Sequence, residues 1–218
     1  MKNFKKLITV ILSTLMLVTM ITGCGKKVAP PEDFAKAFYE MVIYGESDTL
    51  KTLGIKDEEA STLKTQYEKT IKDAIKNNLN AASLSFTDDQ INSIYNAQIN
   101  AQKKATCTVE TVSSDKKTAV VKIKTTHVNT TQLDENAAKE ALAEVQKMNI
   151  TDRKVALAKL GELYIQKLIE KCNGAEASSD TVENTFAFKK IHDDKGSDAW
   201  VPDNPVTFGN QIATMVTK

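Results

Sequence analysis

Three cysteines, two histidines and one acidic run are the side chains of this 218-residue chain whose types and spacing could do chemistry. Cys107 and His127 could form a nucleophile and base, the imidazole taking the thiol proton. Cys107 and Cys172 could instead bridge, if the chain folds in an oxidising compartment. Asp193, Asp194 and Asp198, beside His192, offer oxygens to a cation. Each of these readings depends on the elements that would hold the groups.

Residues 105–111 and 119–124 alternate apolar and polar, as two strands of a hairpin. Keeping both apolar sets on one face calls for paired numbers with an even sum. A three-residue loop at 114–116 meets that condition, with Val109 opposite Val121 and Cys107 opposite Ile123. His127 then lies four residues past the position facing Cys107, roughly 13 Å along the strand. Hydrogen-bond reach is about 3 Å, so the dyad fails on geometry. His127 is left as a structural strand end or as the lining of a pocket mouth.

Cys107 and Cys172 both fall on apolar faces, and a buried pair of thiols and a single disulfide both stay open. The acidic run lacks the calcium-loop spacing and the distant bidentate Glu, so it reads as a solvated hairpin turn. The chain has no Gly-rich phosphate loop, HExxH, GxSxG or CxxC. No catalytic constellation, metal site or cofactor is expected.

Helical periodicity dominates elsewhere. Pro31 opens a helix with Glu32 and Asp33 at its positive end, and Gly45 stops it. A short helix at 47–53 and a long one at 57–79 follow. Thr87 and Gln90 form a capping box for a helix reaching about residue 103. Beyond the hairpin, residues 130–136 lead into a helix carrying Ala137, Ala141 and Val145. Thr151 and Asp152 cap another, with Asn173 and Gly174 as its stop. Phe186, Phe188 and Trp200 share one face of a second hairpin, and Asn204-Pro205 opens a last short helix. The fold class is α+β, with Lys- and Glu-rich helix faces turned to solvent.

The N-terminus has its own logic. Lys2, Lys5 and Lys6 precede an uncharged run from Leu7, the layout of a secretory signal peptide. The run is at the short edge of what a membrane span needs. Ile21-Thr22-Gly23-Cys24 resembles the lipobox of bacterial lipoproteins. That resemblance implies cleavage before Cys24 and a diacylated Cys24 thiol. Two acyl chains hold a soluble domain at a bilayer where one would exchange. The expected organisation is a signal peptide at 1–23, a Pro-containing tether at 24–31 and one domain at 32–218. Removal of the leader leaves 26 basic and 28 acidic residues, a balance that gives nucleic acid nothing to hold.

The sequence FAKAFYEMVIYGE, then SDTLKTLG, further helices, and hairpins ending in a strand tryptophan resemble a nuclear-transport-factor-2-like or cystatin-like cone. More narrowly, they resemble the small lipoproteins of low-GC Gram-positive bacteria grouped as domain of unknown function 5105. The resemblance implies a curved antiparallel sheet wrapped on helices and a concave pocket; the helical pair at 136–172 departs from the plain cone and reads as an insertion. The expected function is a membrane-anchored module on the outer face of the cell membrane, held there by its lipid, that binds a small molecule or a protein without catalysis. The alternative is a pocket enzyme of isomerase or hydrolase type with His127 or an acid as base.

Overall fold

The computed structural model describes residues 28–192 and 198–217. The leader, the lipobox with Cys24 and the start of the tether lie outside these residues, as does most of the acidic turn after His192.

The end of the tether is already part of the fold. Val28 and Ala29 are half-buried and pack on the core, and buried Pro31 starts α1 (Pro31–Tyr44). Gly45 closes α1 at φ 65°, a left-handed conformation that glycine adopts without strain. A Cβ there would also lie 3.1 Å from the Tyr95 hydroxyl. Next come α2 (Asp48–Thr52), α3 (Asp57–Ala81) and α4 (Asp88–Gln102). Both halves of the expected capping box are made: Gln90 N–H donates to the Thr87 hydroxyl, and Thr87 N–H donates to the Gln90 side chain.

β1 (Cys107–Ser114) and β2 (Thr118–Thr126) form the hairpin, two residues out of the expected register. Val109 faces Ile123 and Cys107 faces Thr125. The parity holds, so the apolar set stays inside. The offset arises at the turn, where Ser114 pairs with Ala119 and Ser113 with Val120, an odd sum, and a bulge between Thr111 and Ser113 takes up one residue and restores the even sum. Asp115 fixes that turn by accepting from Lys117 N–H, Thr118 N–H and the Thr118 hydroxyl.

α5 (Thr130–Lys147) begins several residues earlier than its alanine pattern suggests, because the Asn129 side chain accepts from Gln132 N–H and caps it there. α6 (Arg153–Gly174) is capped as expected by Asp152, but Gly174 is its last residue rather than its stop, and Ala175 is extended. β3 (Thr181–His192), β4 (Asp198–Pro202) and α7 (Pro205–Val216) complete the chain.

The sheet is an open, curved antiparallel sheet in the order β1-β2-β3-β4. Its inner face is covered by α1 and α7, and its outer face is largely exposed. Burial is divided between two clusters. The sheet core holds Phe34, Phe38, Met41, Phe186, Phe188 and Phe208 among others. The helical core joins the end of α3 to α4, α5 and α6. Neither α5 nor α6 makes its main contacts with a strand, so the helical layer projects beyond the sheet instead of lying on it.

Candidate functional site

Cys107 and His127 are not brought together. The true register shortens their separation along the strands to two residues, about 7 Å, still beyond proton-transfer reach. His127 sits just past β2, half-buried, with its Nδ1 enclosed and unpartnered among the described residues. Its carbonyl accepts from Ser178 N–H.

Cys107 and Cys172 are both free thiols. Cys107 packs at the margin of the sheet core and Cys172 inside the helical core. Burial pushes each thiol up to about 11, so both stay protonated and weakly nucleophilic at neutral pH. Among the described residues, no three His, Cys, Asp or Glu side chains converge as a metal site.

The inner face of the sheet, where the resemblance places a concave pocket, is filled. Phe34, Phe38 and Met41 from α1 are fully buried there, as is Ile212 from α7. The Phe208 ring meets Phe38, Phe186 and Phe188 edge-on at centroid distances of 6.4, 4.9 and 5.7 Å. Polar groups in this region are bonded internally: the Tyr39 and Thr125 hydroxyls lie 2.7 Å apart, and Tyr44 donates to the Ala105 carbonyl at 2.7 Å. The face of Trp200 is occupied by Lys190, whose Nζ is 4.8 Å from the ring centroid.

The helical core contains a buried carboxyl group within residues 130–136, the stretch expected only to lead into a helix. Asp134 on α5 is 4% exposed, and Tyr164 of α6 donates its hydroxyl to the Asp134 carboxylate. Burial raises the Asp134 pKa and the Tyr164 bond opposes the rise. The signal was the Asn129-to-Gln132 cap: starting the helix there places Asp134, Ala137 and Ala141 on one stripe.

Open space lies on the helical layer. A cleft of about 420 Å³ runs between α3 and α4, but its charges neutralise one another: Lys69 pairs with Asp73 at 2.5 Å and Lys76 with Asp88 at 2.9 Å. A second cleft of about 590 Å³ separates the α3–α4 loop from the first half of α6. Its walls are Leu84, Phe86, Leu157, Ala158 and Gly161, and its rim carries Ser83, Ser85, Gln90, Arg153, Lys154 and Glu162. Gly161 explains how the loop approaches so closely, since a Cβ there would stand 2.9 Å from the Phe86 ring. The second cleft joins elements distant in sequence, and no motif announces either cleft. His127 lines neither of them.

A bulged four-stranded sheet packed on one face, with a helical layer that carries two open clefts among the described residues, defines an α+β domain. The Bacillus subtilis subsp. subtilis str. 168 protein ycdA, described as a candidate lipoprotein, has this fold. The two agree with a TM-score of 0.61 at 18% identity, over 86% of this chain and 57% of that one. The present chain therefore spans little more than half of that relative. No curated protein matches. A family model matches residues 21–214, and the chain belongs to that family, Domain of unknown function (DUF5105).

Proposed function

We propose that the chain is an extracytoplasmic lipoprotein, anchored through acyl chains on Cys24, whose folded domain acts as a non-catalytic binding module. The carrying observation is the coincidence of a basic head, an apolar run and Ile21-Thr22-Gly23-Cys24 directly ahead of the domain. The family match starting at residue 21 and the fold shared with a candidate lipoprotein support it. Among the described residues no helix is long and apolar enough to cross a membrane, so attachment falls to the N-terminus.

The path of the chain suits a tether. Glu32 at the start of α1 accepts from Thr111, while Tyr39 meets Thr125 and Tyr44 meets Ala105. α1 thus runs from the turn end of the β1–β2 hairpin towards its open end, and the tether enters at the turn end. Protonated buried thiols and a filled inner sheet face favour binding over nucleophilic turnover. Detergent phase separation of the protein made in its own host tests the anchor. Wild type is expected in the detergent phase and Cys24→Ala as uncleaved precursor; a wild-type chain confined to the aqueous phase overturns the proposal.

A further inference from the structure

We infer that the 590 Å³ cleft between the α3–α4 loop and α6 is a binding site for an anionic ligand, a carboxylate or phosphate ester carried on a small apolar body. The volume falls within the range of small-molecule sites. Its chemistry is one-sided. Arg153, the single arginine of the chain, and Lys154 have no carboxylate partner among the described residues. Gln90 has its oxygen committed to the capping box, leaving its amide N–H groups for the cleft. The one acid on the rim, Glu162, is held by Lys159 at 2.8 Å. The α3–α4 cleft, by contrast, is charge-neutralised from within. An arginine fork suits two oxygens of a carboxylate or phosphate, and the Phe86 and Leu157 walls suit an apolar remainder.

Position selects the source of the ligand; this step rests on the lipid-anchor reading. Lys104, between α4 and β1, donates to the Asn173 and Ala175 carbonyls at 2.7 and 2.6 Å, fixing the end of α6 beside the open end of the hairpin. From there α4 and α6 run side by side to the Phe86–Gly161 contact, about 20 Å further on. The cleft therefore opens on the helical layer and not on the hairpin, where the tether enters, and on the lipid-anchor reading its ligand is a solute outside the cell rather than a headgroup of the anchoring bilayer.

The test uses the full mature chain in zwitterionic nanodiscs. Saturation-transfer NMR is run with phenyl phosphate, inorganic phosphate, phenol and benzylamine in turn. Phenyl phosphate is expected to bind, about tenfold more tightly than phosphate or phenol alone, with benzylamine silent. Arg153→Glu combined with Lys154→Glu places acids in the first turn of α6, which a helix tolerates well, and should reverse the preference to benzylamine. Absence of phenyl phosphate binding, or binding unchanged by the reversal, overturns the site. Size-exclusion of the nanodiscs reports separately whether the chain is anchored. Anchoring with no binding condemns the cleft alone, and binding by an unanchored chain condemns the lipid reading alone.

Discussion

Phe208 lies beneath the sheet among three other rings, whereas Asp134 lies in a helical layer whose buried positions include Ala97, Ala101, Ala137 and Ala141. The first region is a wedge of large rigid side chains between a one-faced sheet and two helices. The second lets helices approach through small residues, and buries a carboxyl group at their junction. Volume governs the sheet core. Close approach and protonation govern the helical one, and the two open clefts are found on that layer.

The strongest way to break this contrast is to remove the central ring. Phe208→Ala should cost about 3–5 kcal/mol in chemical denaturation. A cost near 1 kcal/mol would mean that the wedge is not close-packed. Next in size is Tyr164→Phe, which strips the hydrogen bond from a buried carboxylate and should cost about 1–3 kcal/mol at neutral pH.

Asp134→Asn sharpens the same point through its sign. A raised folded pKa means that the folded state holds the proton to higher pH than the unfolded chain. The contribution of Asp134 to stability is therefore full below the ordinary carboxylate value and is lost as pH rises through the folded value. Asp134→Asn should be more stable than wild type at pH 7 and nearly equal to it near pH 3; the reverse order would contradict the burial argument.

A smaller effect concerns Gly161. Alanine in a helix interior gains about 1 kcal/mol over glycine, but here it meets Phe86. Gly161→Ala should stabilise more in a Phe86→Ala background than in wild type, with a coupling of about 1 kcal/mol. The smallest change is expected at the α5–α6 surface. Lys171 and Glu140 pair at 2.6 Å across it in solvent, and replacing Glu140 by Ala should alter stability by about 0.5 kcal/mol or less.

The same division explains what could be read from the residues. Thr87 with Gln90, Asp152, and Asn204 with Pro205 each satisfy local backbone groups, so those helix starts are visible without tertiary information. Parity fixes which face of β1 and β2 is buried, because a one-residue slip would expose Val121 and Ile123. Parity cannot detect the bulge at Val112, which shifts the pairing by one residue and, with the turn, leaves the hairpin two residues from the expected register. Asp134 resists reading because a charged residue beside Glu135 and Asn136 resembles a solvent position, and only the partner Tyr164, 30 residues away, makes its burial tolerable. The cleft is less legible still: it exists where the loop holding Phe86 meets Gly161, a contact without local periodicity.

Everything proposed about place and orientation depends on the modification of Cys24, and intact-mass analysis of the membrane-extracted protein measures it directly. The account predicts a chain beginning at Cys24 with the added mass of a diacylglyceryl group. A chain still beginning at Met1, or beginning at any unmodified residue other than Cys24, would contradict it.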